Sequence, residues 1–258
     1  MARQKKPGGG LRVLIAGESW VTHSIHQKGF DSFTTTEYAE GVGWLHAALE
    51  GGGWQVDYQP SHVAATQFPA TAKDLAKYDC VMLSDIGSNT LLLNPDTFFR
   101  FHMKENRLDA IRDYVAAGGG LVMVGGYMTF QGIDAKARYH GTVVEDALPV
   151  IISAHDDRVE VPQGVAPGVA MKGHPIAAGL GGKWPALLGY NRLTAKPGAE
   201  VVAFAGDDPL IVAGKFGRGR GVAFASDCGP HWAPPGFVTW KGYAPLWRQI
   251  AGWAAGRL

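Results

Sequence analysis

The run Leu121-Val122-Met123-Val124-Gly125-Gly126-Tyr127-Met128-Thr129-Phe130-Gln131-Gly132 decides the fold. Four apolar residues end in two glycines, and a polar segment follows. This is the layout of a strand-to-helix elbow, the turn at which α/β enzymes expose a Ser or Cys nucleophile. Here the turn carries Gly126, Tyr127, Met128 and Thr129 instead. Residue type alone argues against thiolate attack from this position.

Working outward, apolar strand runs alternate with helical spacing. Leu11–Ala16, Trp54–Tyr58 and Asp79–Leu83 read as strands before the elbow strand Leu121–Val124. Between them, Tyr38–Leu49 places Trp44, Leu45, Ala48 and Leu49 at helical spacing and stops at Gly51. A short helix closes over Leu75–Tyr78, and Arg107–Ala117 puts Leu108, Ile111, Tyr114 and Val115 on one face. This alternation predicts an α/β fold with a mainly parallel central sheet covered on both faces. The rhythm breaks over residues 142–190, where Pro162, Pro175 and Pro185 mark an irregular insertion. Glu200–Ala205, Leu210–Ala213 and Gly221–Ala225 then read as strands, the last two joined as an antiparallel hairpin through the glycine-rich segment 214–220. Tyr243–Ala255 carries Leu246, Trp247, Ile250 and Trp253 on one helical face, to pack on the sheet.

The chain has 258 residues, 46% hydrophobic and 18% charged, which suits one α/β domain over residues 11–258. A net charge of +1 with scattered basic residues gives no electrostatic case for nucleic acid or an anionic membrane. No apolar run reaches transmembrane length. Residues 1–10 are basic and glycine-rich and read as a disordered lead-in without a signal-peptide core. Cys80 and Cys228 lie far apart and make no metal-type pair, so a reducing cytoplasm is the expected setting.

In open parallel sheets, ligands bind beyond the carboxyl ends of the strands. Four such ends here carry polar groups. The first leads into Gly17, Glu18, Ser19 and Trp20, then His23, His26, Lys28 and Asp31. The third leads into Ser84, Asp85 and Asn89, the elbow into Gly126, Tyr127 and Thr129, and the late strand into Ser226, Asp227, Cys228, His231 and Trp232. The concentration of His, Asp and Trp points to a small-molecule site. Asp227 and His231 are the acid–base candidates and Tyr127 a hydroxyl donor. Amides around Gly126 are candidate oxyanion donors. Glu18, Trp20, His23, Lys28 and Asp85 are candidate substrate contacts, with Asn89, Thr129 and Trp232. No cofactor is expected. A divalent metal on His23, His26 and His231 is the weaker alternative to loop-anchoring histidines. Asp156-Asp157-Arg158-Val159-Glu160 reads as a solvated charge cluster, and Cys80 as an inert core thiol. The tryptophan-rich end and the insertion offer surface for a homo-oligomer.

Together, Gly17-Glu18-Ser19-Trp20, Lys28-Gly29-Phe30-Asp31, 83–90, 125–132 and 226–232 resemble the class I glutamine amidotransferase-like superfamily. The resemblance is closest to its branch of putative glutamine amidotransferases, with kinship to the trehalose-utilisation (ThuA-like) proteins. It implies a flavodoxin-like three-layer sandwich with a late antiparallel hairpin. Members that cleave glutamine place Cys at the elbow and a His-x-Glu pair after a late strand. Here the elbow aligns at Gly126-Tyr127 and the late strand yields Asp227 and His231. The expected protein therefore lacks glutaminase activity. Two functions remain: a hydrolase or lyase acting on a small polar metabolite, such as a carbohydrate derivative or amide, or a non-catalytic binding protein that kept the fold. Redox chemistry is disfavoured because Gly17-Glu18-Ser19 lacks dinucleotide-type glycine spacing.

Overall fold

The structure is a computed structural model, and it describes residues 10–258, so all but the last residue of the expected lead-in lies outside it. The first strand, β1 (Arg12–Gly17), is buried on both faces from Val13 onward, as its unbroken apolar run requires. It leads into β2 (Ser19–Lys28) and β3 (Asp31–Glu40), an antiparallel hairpin turning at Gly29. This corrects two expectations: residues 19–31 are strand and turn rather than loop, and the next helix starts at Gly43 rather than Tyr38. The apolar residues that set its boundary, Leu45, Ala48 and Leu49, are indeed its buried face.

β4 (Gln55–Gln59), β5 (Cys80–Ser84) and β6 (Gly120–Val124) follow, each paired in parallel within the main sheet. Beyond β6 the chain turns through Tyr127–Gln131 without entering a helix, so the expected strand-to-helix elbow is a strand-to-loop elbow. Hydrogen bonds from the insertion, described below, take over the anchoring that a helix would give.

The insertion is more regular than its prolines suggest. It holds β7 (Val150–Ile152), β8 (Arg158–Val165), β9 (Pro167–Val169) and β10 (Leu187–Asn191), followed by β11 (Leu193–Ala195). β8 pairs with β10, β7 with β11, and β9 extends the main sheet. Pro162 is tolerated because β8 belongs to a two-stranded ribbon, where one strand edge needs no donor. Last come β12 (Glu200–Ala205), β13 (Asp208–Phe216) and β14 (Gly219–Phe224). The hairpin between β13 and β14 is tighter than the glycine-rich segment implied, turning at Gly217 with its φ of +56°.

The sheet runs β4-β1-β5-β6-β14-β13-β12-β9, parallel from β4 to β14 and antiparallel beyond. This is the expected α/β, flavodoxin-like arrangement with its late hairpin. Helices flank it in two groups. Tyr243–Ala254 buries Leu246, Trp247, Ile250 and Trp253 and packs beside Gly43–Glu50, with Arg248 Nε donating to Ala48 O at 2.7 Å. Arg107–Ala116 packs with Ala72–Leu75 and Val143–Ala147 in the other group. The terminal tryptophans are thus core, not association surface. Among the described residues no helix is long and apolar enough to cross a membrane.

Register sets the site. Gly17 lies opposite Ser84, Ser84 opposite Val124, and Val124 opposite Phe224. Four carboxyl ends therefore stop level, and the residues after them share one edge.

Candidate functional site

Those four ends enclose a cavity of about 600 Å³. Glu18, Asp85 and Asp227 line it with Trp20, Tyr127, His231 and Leu188, while Pro230, Pro234 and Pro235 complete the wall. Six of the expected site residues meet here. Prolines and rings supply a stiff, largely apolar wall around a few convergent polar groups, the usual composition of a small-molecule site.

The acidic groups are held tightly. Glu18 and Asp85 both adopt left-handed backbone conformations, φ +51° and +45°, immediately after their strands. Such conformations are costly for residues other than glycine and cluster at functional sites. Glu18 N donates to Ser84 O at 2.7 Å, and Ser84 Oγ donates to Glu18 Oε2 at 2.5 Å. Asp85 Oδ1 accepts from Met128 N at 2.7 Å, and Asp227 Oδ1 from Gly229 N at 3.1 Å. Burial, with the Asp85 charge beside it, pushes the Glu18 carboxyl up to about 7. Burial also raises Asp227 well above the ordinary carboxylate range, and Glu18 and Asp85 add to this. Asp85 is raised by burial too, against the opposing Met128 hydrogen bond and His231.

Gly17 makes this crossing possible. Its φ is +107°, and a Cβ there would lie 1.9 Å from Ser84 O. Gly17→Ala is expected to cost more than about 4 kcal/mol, a backbone effect and a clash together. A thermal melt within a few degrees of wild type would contradict this.

The wall residues form a second network. Tyr127 Oη donates to Glu160 Oε1 and Trp232 Nε1 to Glu160 Oε2, each at 3.0 Å. The Arg158 guanidinium lies 5.0 Å from the Tyr127 ring centroid, and the His231 ring meets Tyr127 edge-on at 4.2 Å. Beneath them, Asn191 Oδ1 accepts from Gly126 N at 3.0 Å while its Nδ2 donates to Gly126 O and Asp157 Oδ1. Buried Asp157 also accepts from Gln131 N and Gly132 N, both at 2.9 Å.

Several expectations are corrected by this placement. The amides of Gly126 and Met128 are engaged by Asn191 and Asp85, so neither is free as an oxyanion donor. His23, His26 and Lys28 are exposed on the β2–β3 ribbon, where His23 faces Thr36 Oγ1 and His26 faces Thr35 Oγ1. They line no part of the cavity, and the trio His23, His26 and His231 does not converge as a metal site. Asn89 is exposed outside the lining, while Thr129 is fully buried and Trp232 stands behind the wall. Arg107 is buried and donates to Ala64 O and Ala65 O, which ties its helix to the segment 61–67.

The structure also adds residues. Asp157 and Glu160 belong to the run read as solvated charge. The alternation Arg158-Val159-Glu160 was the available signal, because it puts Arg158 and Glu160 on one strand face. Cys228 is fully buried, its Sγ 3.6 Å from Ser84 Oγ. Ligand atoms of Glu18, Asp227 and Cys228 lie within 4.8 Å of one another, the set that could hold a divalent ion. Burial pushes the Cys228 thiol well above its ordinary range, so an ion would first have to displace that proton.

Comparison with known proteins agrees with this fold. Residues 12–256 match the family model described as "Putative glutamine amidotransferase". Cytoplasmic protein STM3548 from Salmonella typhimurium is similar at 44% identity and a TM-score of 0.92, over 95% of this chain and 99% of that one. Cytoplasmic protein STM1381 from Salmonella typhimurium LT2 is similar at 47% identity, with the same TM-score and the same coverage. No curated protein matches. With a family match spanning nearly the whole chain and two solved relatives sharing its fold, the chain belongs to the family of putative glutamine amidotransferases.

Proposed function

We propose that the chain is a Cys-independent hydrolase or lyase acting on a small polar metabolite, a carbohydrate derivative or an amide, and that it has no glutaminase activity. One observation carries this reading: carboxylates from three separate strand ends share the floor of one cavity, and burial keeps a proton on Glu18 up to about pH 7. A carboxyl poised near neutrality donates and retrieves protons efficiently. Glu18 and Asp227 are the proton-carrying pair. Asp85 fixes the loop after β6 through Met128 N, while Trp20, Tyr127 and His231 present rings to an apolar face of the ligand.

Neither thiol supports amide attack as a nucleophile. Cys80 is buried within β5, and Cys228 is buried with its proton held. The names of the two Salmonella relatives support a cytoplasmic setting for this chain as well. The engaged amides of Gly126 and Met128 favour the second reading, a binding protein without chemistry.

A panel of neutral sugars, sugar lactones, sugar acids, primary amides and glutamine separates these readings. A neutral sugar, lactone or amide is expected to raise the melting temperature of the wild type and to be converted, with product seen by proton NMR. Asp227→Asn is expected to keep the thermal shift and slow conversion by about a hundredfold or more. A ligand that binds but is never converted would leave only the binding role. Ammonia released from glutamine would overturn the proposal.

A further inference from the structure

Away from the cavity, His174 is a buried titratable side chain whose own hydrogen bond fixes where its proton sits. It lies in the insertion between β9 and β10 and is 5% exposed. Its Nδ1 accepts from Ile176 N at 3.1 Å and so caps the short turn Pro175–Ala177. An accepting ring nitrogen carries no hydrogen, which leaves the ring's one hydrogen on Nε2. That atom is buried without a hydrogen-bond partner among the described residues, 3.6 Å from Glu200 Oε2.

Two charged groups among the described residues face the ring, both from the sheet. Glu200, at the start of β12, favours a cationic imidazole, and Arg220, on β14, opposes one. The terminal helix contributes Trp253, its ring centroid 5.4 Å from that of His174 and 4.9 Å from Arg220 Cζ. Burial outweighs Glu200 and moves the imidazole below its ordinary value of 6.5. The bond to Ile176 N acts in the same direction, because a second ring hydrogen would sit on Nδ1 and point at that N–H.

The capped turn fastens the insertion to the body. Ile176 is fully buried and Ala177 nearly so, and the turn packs against the helix Tyr243–Ala254. From that helix Gln249 Nε2 donates to Ala178 O at 2.7 Å, and Trp184 Nε1 donates to Leu180 O at 2.9 Å. Trp184 in turn meets the Trp240 ring at 5.3 Å, just past the helix Pro235–Val238 whose first residue walls the cavity.

We propose that His174 is a pH-sensitive latch, holding residues 174–180 on the terminal helix while neutral and releasing them on acidification. A folded imidazole that resists protonation gives stability that is complete above about 6.5 and lost as pH falls below it. The sign is opposite to that of a carboxyl raised by burial, such as Glu18. Release is local, because protonation breaks the one bond that caps this turn.

Hydrogen exchange on the full chain at about pH 7.5 and about pH 5.5, corrected for the intrinsic pH dependence of amide exchange, tests this. The opening equilibrium of residues 176–180 is expected to rise by up to about tenfold at the lower pH, the ratio that one proton with a pKa of about 6.5 allows. The amides of β5 and β6 should not follow, which separates a latch from acid unfolding. His174→Asn keeps a side-chain oxygen in the capping position and has nothing to titrate, so exchange at 176–180 should lose its pH dependence. Proton NMR of the wild-type His174 ring should show it titrating below 6.5. A ring that titrates above that value, unchanged protection at 176–180 in acid, or a His174→Asn protein with the acid response of wild type would overturn the proposal.

Discussion

Asp157→Ala is expected to lower stability by about 3–5 kcal/mol, read as a lower urea midpoint with an unchanged m value. Asp157 is buried and accepts from Gln131 N, Gly132 N and Asn191 Nδ2, the last at 2.8 Å. Removing the carboxylate leaves two buried backbone N–H groups without a partner and Asn191 Nδ2 with Gly126 O alone, and each unmet donor carries its full desolvation cost. The damage should spread. Asn191 holds both the N–H and the C=O of Gly126, so losing its own anchor loosens the turn that presents Tyr127. Ligand binding in the cavity should weaken along with stability. A loss under about 1 kcal/mol would mean that water replaces Asp157 and that the loop after β6 is anchored elsewhere.

Glu18→Gln is expected to act in the opposite direction, stabilising the protein at pH 8 by on the order of 3 kcal/mol. The folded carboxyl titrates at about 7, against an ordinary value of 4.5. Between these values the folded chain holds a proton that the unfolded chain has released. This contribution to stability is therefore complete below about pH 4.5 and is lost as pH rises through about 7. Asp227 and Asp85, also raised by burial, add a slope of the same sign. Near pH 4 the two proteins should match, because a protonated Glu18 and a glutamine are both neutral. The difference should then grow up to about pH 7 and level off. Urea unfolding of both proteins across this range checks it. A difference that does not change with pH would show that Glu18 is not desolvated in the fold. A site residue whose removal stabilises the chain is the usual mark of function held at the expense of stability.

The parallel core was legible because its strands are apolar on both faces. Val13–Ala16, Cys80–Leu83 and Leu121–Val124 cannot be read as surface. The level strand ends then place Glu18, Asp85, Tyr127 and Asp227 together with little further information. The β2–β3 ribbon was not legible, because strand reading relies on one apolar and one polar face. This ribbon buries neither, so its Thr, Ser and His residues look like loop. The two β-branched runs flanking Lys28-Gly29-Phe30-Asp31 were the only cue. Misreading it as loop put His23, His26 and Lys28 at the site. Asp157, Glu160 and Asn191 were missed for another reason. Their partners lie tens of residues away in sequence, and nothing local sets buried Asp157 apart from exposed Asp156 and Glu160 in the same run.

The cavity floor is expected to hold its protons into the neutral range. Carbon-13 NMR of side-chain carboxyls, followed against pH and compared with Glu18→Gln to assign the resonance, measures this directly. The Glu18 carboxyl is expected to titrate at about 7, with at least one Asp resonance also above the ordinary range. A Glu18 resonance that titrates near 4.5 would contradict the account.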